Sequence, residues 1–353
     1  MSKNYRIKDI AELSGVSTGT VDRILHNRGK VSIEAQQKVD KVLKEINYQP
    51  NLIARSLALK KNYLLYALVP SYKEGEYWEL FCSGIQKAEK ELFSYNVEIK
   101  YLYFNQYDKN SFDEMARQVV ESDCQGVVIA TLFKESALTL TQQLDQKSIP
   151  YVLVDAYLEK TNCIAYYGTH SYDSGFIAGR LMHEQLQPED DIAIFRFIRK
   201  GEELSNQVQQ REKGLRDYLS RQAFNGKIHI VHIYAEDISK NDQLLDEFLN
   251  NYPNIRRGII FNSRAYILAN YLKTQHPELN FKLIGYDVIN KNVDHLKENR
   301  ITHLIAQRPE VQAVNSVRAL FKFLIEKVSP EKINYMPIDI LMKENIAYYN
   351  NYI

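Results

Sequence analysis

The first fifty positions repeat apolar residues at helical spacing in three short runs. Ile7, Ile10, Ala11 and Leu13 share one face of a helix predicted over 7–14. Gly15-Val16-Ser17 breaks that period, and Ser17 is a good N-cap for a second helix over 18–25, with Val21, Ile24 and Leu25 inward. Asn27-Arg28-Gly29 ends it. Ser32 then caps a third helix carrying Ala35, Val39, Val42, Leu43 and Ile46, which Asn47-Tyr48-Gln49-Pro50 stops, because proline disfavours helix in the residue before it. The stretch NLIARSLALKK, 51–61, is a short apolar and basic helix candidate; at about 11 residues it is marginal alone.

From residue 62 the period changes. Apolar runs predict strands at 64–69, 97–103, 126–130, 151–154, 164–167, 192–195, 228–233, 258–261, 282–285 and 302–306. Amphipathic helical runs lie between them, among them 78–93, 173–187 and 207–220. Strands alternating with helices imply parallel sheets covered on both faces. Ten strands over nearly 300 residues exceed one comfortable sheet. Two doubly wound lobes fit better, with a cleft at the carboxyl ends of the strands. The predicted organisation is therefore an all-α head over 1–50, a linker helix over 51–61 and a two-lobed α/β domain over 62–353.

Composition is ordinary for a globular chain, at 45% apolar and 25% charged. Its charge, +1 overall, is unevenly spread: residues 1–61 hold 12 Lys/Arg against 6 Asp/Glu, and the remainder 33 against 38. A basic head on an acidic body points to a polyanionic partner for the head. Cys82, Cys124 and Cys163 form neither a CxxC pair nor an even set, so a reducing compartment is expected. No apolar signal region stands at the start and no run approaches a membrane span, so a soluble cytoplasmic protein is expected. GxGxxG, GxxxxGK[ST], HExxH and GxSxG motifs are lacking, and the eight histidines are scattered; neither catalysis, cofactor nor metal is expected.

A helix at 7–14, a turn at 15–17 and a helix at 18–25 follow the helix-turn-helix plan. The second helix opens with small or polar outward residues, Thr18, Gly19, Asp22 and Arg23, which would let its N-terminal end enter a major groove. Arg23 can reach a guanine edge or a phosphate, and Ser17 and Thr20 suit phosphate contacts. IKDIAELSGVS, the TV-x-R-x-L spacing, KVS before the third helix, NYQPN and ARSLA together resemble the DNA-binding head of the LacI/GalR (lac-repressor) family, without gaps over the first 60 residues. The resemblance implies base reading by Thr18, Gly19 and Arg23, and phosphate contacts from Ser17, Thr20 and His26. It also implies a hinge helix over 51–59, with Ala54 close to the minor groove and Leu57 wedged between base steps. Asp22 stands where the family commonly has Ser, and Leu59 where it often has Gly.

The remainder is similar, more loosely, to the type I periplasmic sugar-binding-protein domain that this family carries. EYWELFCSGIQKAEKEL, GVVIA, IPYVLVDAYL, HSYDSGFIAGRLM, QREKGL, IIFNSRA, LIGYD and LIAQRPEVQ carry the likeness. A sugar asks for flat apolar faces and planar polar groups. Tyr77 and the single tryptophan, Trp78, could stack on a ring. The resemblance puts the polar clamp at Asp155, Arg211, Asn262, Asp287 and Gln307. Ala156 follows Asp155 where ribose-type relatives often have Arg, which speaks against a simple pentose. Sugars, polyols, sugar acids and nucleosides stay open as effectors. The expected protein is a homodimeric regulator binding double-stranded operator DNA, with an effector that either releases the operator or promotes its binding; repression is the output the resemblance favours.

Overall fold

The computed structural model describes residues 5–25, 31–46, 62–184, 186–187, 189–200, 204–235 and 237–352. The chain divides into two compact units near residue 60.

Among its described residues the first unit contains three helices, α1 (Ile7–Ser14), α2 (Thr18–Leu25) and α3 (Ile33–Glu45). Gly15 ends α1 in the left-handed region, at φ 67°, where a side chain would be strained. Ser17 Oγ accepts from the Thr20 N–H at 3.2 Å and opens α2; Ser32 Oγ accepts from Ala35 at 3.3 Å and opens α3. Ile10, Ala11, Val21, Ile24, Val39 and Val42 fill the small core between them.

In the second unit, two six-stranded sheets are built from β1 (Tyr63–Pro70), β2 (Val97–Phe104), β3 (Gly126–Ala130), β4 (Tyr151–Val154), β5 (Ala165–Gly168), β6 (Ile192–Phe197), β7 (Ile228–Ile233), β8 (Arg257–Ile259), β9 (Lys282–Tyr286), β10 (His303–Ala306), β11 (Ile333–Tyr335) and β12 (Asp339–Leu341). Their orders are β11-β5-β4-β3-β1-β2 and β12-β10-β9-β8-β6-β7. Every pairing is parallel except β10 with β12. This is the two-lobed, doubly wound α/β fold that the alternation predicts. β11 and β12 have no apolar run to betray them. They are three-residue edge strands, held by register, with Ile333 opposite Tyr166 and Leu304 opposite Leu341. β8 stops at Ile259, short of the predicted 261, although Ile260 and Phe261 remain buried.

The chain passes between lobes three times. It leaves the first lobe after β5, returns after β10 through the helix Pro309–Phe321 that packs on Tyr77–Leu92, and crosses again between β11 and β12. The strands' carboxyl ends from both lobes therefore face one cleft.

Candidate functional site: a buried clamp and an exposed helix face

Three strand ends deliver polar residues into the cleft. Asp155 directly follows β4 and Asp287 directly follows β9, both in left-handed backbone at φ 80° and 69°. Such backbone costs about 1–2 kcal/mol outside glycine, and Asp is among the residues that tolerate it. Gln307 directly follows β10. Arg211 arrives from the helix Asn206–Arg221 and is fully buried. Two glycines make that position possible. A methyl at Gly175 would sit 1.8 Å from Arg211 O, and one at Gly214 would sit 2.1 Å from Tyr172 O. The helix Ser171–His183 can therefore pack backbone to backbone against Asn206–Arg221.

One hydrogen-bond network joins these groups. Arg211 donates through Nη1 to Phe261 O at 2.7 Å and through Nη2 to Gln307 Oε1 at 2.9 Å. Its guanidinium lies 4.1 Å from the centre of the Tyr286 ring. Gln307 Nε2 donates to Asp287 Oδ1 at 2.7 Å. Gln207 Nε2 reaches Gln307 Oε1 at 3.2 Å and Asp155 O at 3.3 Å. Thr131 pins the turn after Asp155, accepting from the Ala156 N–H at 3.0 Å.

Burial dominates the electrostatics of the two carboxyls. Burial pushes the Asp155 carboxyl up to about 7, against the pull of Arg211 and with a push from Asp287. Burial likewise lifts Asp287 to about 6, opposed by Arg211 and the Gln307 hydrogen bond. Asp155 Oδ2 and Arg211 Nε are buried with no hydrogen-bond partner. Unpaired buried polar atoms are costly and ask for an explanation.

Asp155, Asp287, Gln307, Asn262, Tyr77 and Trp78 all line one narrow cavity of about 70 Å³, with Arg211 buried behind it. Tyr77 and Trp78 are buried edge-to-face, 5.1 Å between ring centres, and Trp78 packs on Phe81 at 5.3 Å. Asn262 Oδ1 accepts the Arg264 N–H at 3.0 Å, so that residue also shapes its own turn. Sequence reasoning missed Gln207 and Tyr286 as members of the network. Gln207 had a legible signal: it lies one helical turn before Arg211, on the same face. In front of the cavity the lobes touch. Glu76 pairs with Arg264 at 2.9 Å, and the Lys200 N–H donates to Tyr107 O at 2.7 Å. A larger chamber of about 780 Å³ opens outside this contact and shares Gln106 with the inner cavity.

In the head, Val21 and Ile24 point inward while Ser17, Thr18, Gly19 and Arg23 are exposed and Thr20 is half-buried. Ser17 Oγ and Thr20 Oγ1 lie 2.9 Å apart, and Arg23 Nε donates to Gly19 O at 3.1 Å. A methyl at Gly19 would meet only Ser17 Oγ, 4.0 Å away, so the head's own packing does not call for glycine there. His26, Ala54, Leu57 and Leu59 lie outside the described residues, as does the predicted hinge helix. No helix among the described residues is long and apolar enough to cross a membrane.

Comparison with known proteins agrees with both halves. Residues 6–51 match the bacterial regulatory proteins of the lacI family, and residues 66–327 match the periplasmic binding protein domain. The ribose operon repressor of Lactococcus lactis is 25% identical over 343 residues, covering 96% of this chain and 97% of the repressor. A crystallised chain from Bacteroides fragilis, assigned to the LacI transcriptional regulators, is 35% identical with a TM-score of 0.78, covering 82% of this chain and all of that one. An ABC transporter solute binding protein from Burkholderia graminis, crystallised with D-arabinose, shares the fold at a TM-score of 0.70 and 16% identity, over 82% of this chain and 98% of its own. With a helix-turn-helix head and a two-lobed binding domain in one chain, the protein belongs to the lacI family of bacterial transcription regulators.

Proposed function

We propose that the chain is a homodimeric, cytoplasmic operator-binding repressor whose DNA affinity is set by a neutral sugar or polyol held at the cleft clamp. The supporting observation is the orphaned Asp155 Oδ2 on a cavity walled by Tyr77 and Trp78, with the buried Arg211 behind it. A hydroxyl donates, so a polyol can satisfy that carboxylate. A sugar acid would bring a further carboxyl into a cavity where burial already disfavours the ionisation of Asp155 and Asp287, with Arg199 the cation that acts on Asp155 there. The aromatic pair would cover the C–H face of the ring. In this reading Asp155, Arg211, Asn262, Asp287 and Gln307 form the polar clamp, and Gln207 and Tyr286 support it.

In the head, Thr18, Gly19 and Arg23 read base edges while Ser17 and Thr20 hold phosphates. Two heads in a dimer read two half-sites. No reaction is assigned to the cleft. The effector acts by binding one lobe arrangement better than another, with a coupling of about 1–3 kcal/mol.

Trp78 is the only tryptophan and lies in the cleft, so its emission reports the cleft directly. Titrating a panel of neutral sugars, polyols and the corresponding acids should change that emission with the neutral compounds and not with the acids. A hit should also alter protection of the operator in a footprint. Binding of the acids in preference would overturn the neutral-ligand reading.

A further inference from the structure

A second cavity lies at the back of the cleft, where the chain crosses between lobes. It is an open pocket of about 460 Å³, draws walls from both lobes, and has Lys134, Glu159, Lys160 and His170 among its lining. Tyr157, Tyr166, Tyr172 and Tyr335 supply aromatic surface, with Tyr166 lying 5.4 Å from Tyr157 and 6.0 Å from Tyr335 between ring centres. Thr169, in the first crossing, lines the cavity, is 2% exposed, and its Oγ1 has no hydrogen-bond partner. The buried Asn206 lines it as well.

We infer that this cavity is a second ligand site, for a small aromatic alcohol such as a phenol. Tyr157, Tyr172 and Tyr335 offer partly exposed rings for contact in the offset or edge-on geometries that aromatic pairs prefer, and the fully buried Tyr166 packs behind two of them. One buried hydroxyl without a partner calls for one polar substituent on the ligand. A sugar carries a hydroxyl on nearly every carbon and would meet no buried ionic clamp here, unlike in the cleft. The site sits one residue from the clamp on two sides: Ala156 and Asn206 line it, and their neighbours Asp155 and Gln207 belong to the cleft network. The Tyr166 hydroxyl lies 3.3 Å from Asp155 O and 3.1 Å from Thr169 O, so one side chain touches both the clamp strand and the crossing. A ligand bound here therefore rests on the segment that the lobes turn about.

The probe is 4-fluorophenol, followed by fluorine NMR with the full-length protein. Its resonance should broaden on addition of the wild-type chain, and binding should weaken about tenfold in both Thr169→Val and Tyr335→Ala, the loss of one buried hydrogen bond or one ring contact. Tyr335 is half exposed, so its truncation leaves the fold intact even if the hinge substitution does not. Trp78 emission, excited at its red edge, should stay unchanged. Absence of broadening at millimolar probe, or unaltered binding in the Tyr335 variant, overturns the site. Quenching of Trp78 would put the probe in the cleft and overturn it as well.

Discussion

The head and the sensor place their charges in opposite ways. Among the described residues, the head buries no charged side chain; its core is six small and medium apolar residues. The sensor buries Glu76, Asp155, Arg211, Glu212 and Asp287. Three of these five have ordinary partners: Glu212 meets Arg196 at 2.7 Å, Glu76 meets Arg264, and Asp287 accepts from Gln307. Asp155 and Arg211 each keep an atom with none. A surface that reads DNA can be made of exposed groups at little cost to folding. A site that encloses a small molecule, as proposed for the cleft, has to bury polar groups in advance, at a cost to folding.

The largest effect should come from the centre of that buried network. Arg211→Ala removes the guanidinium that faces both carboxylates and that holds Phe261 O and Gln307 Oε1. Breaking a buried charged constellation costs about 3–5 kcal/mol. Urea unfolding should show a loss of that size, and Trp78 should no longer respond to effector. A loss below about 1 kcal/mol would mean that the clamp is hydrated and does not differ in kind from the head.

Arg23→Ala probes the other side of the contrast. Arg23 is exposed and, among the described residues, bonded to its own helix at Gly19 O, so its truncation should leave stability within about 0.5 kcal/mol. Operator affinity should fall by about 1–3 kcal/mol, with specificity relaxed at one base position. A binding isotherm on operator and on scrambled DNA measures both. Equal weakening on the two DNAs would reassign Arg23 from base reading to phosphate contact.

How far the sequence speaks follows the same division. The head's first two helices were legible to the residue, and the third at its start, because Gly15, Ser17 and Ser32 are local signals whose reasons lie within four positions of themselves. Ten of the strands were legible as apolar runs. β11 and β12 were not, since INY and DIL gain their strand character from pairing with β5 and β10 far away in the chain. At the clamp, the family resemblance named the residues, and a doubly wound sheet exposes the strand-end positions that most of them hold. Tyr286 could not, because its place under Arg211 depends on two helices approaching at Gly175 and Gly214, a distance no spacing in the sequence reports.

The smallest effect is a slope. In the unfolded chain Asp155 titrates near the ordinary carboxyl value of 3.8, and in the folded sensor near 7. Between those values the folded state holds a proton that the unfolded state has lost, so the stability it contributes is fully present below pH 3.8 and disappears as pH rises towards 7. Asp287, lifted to about 6, acts in the same sense over a narrower window. Asp155→Asn removes the first of these. The variant's stability should therefore fall less steeply between pH 5 and 7, by up to about 1.4 kcal/mol per pH unit, in urea titrations repeated across that range. Effector binding should show the opposite sign. A ligand hydroxyl that donates to Asp155 Oδ2 favours the ionised carboxylate, so effector affinity in the wild type should rise from pH 5.5 to 7.5 and be nearly flat in Asp155→Asn. A wild-type affinity that falls with pH would mean that the ligand instead accepts a hydrogen bond from the neutral acid, and the clamp would then be selecting an acceptor rather than a donor.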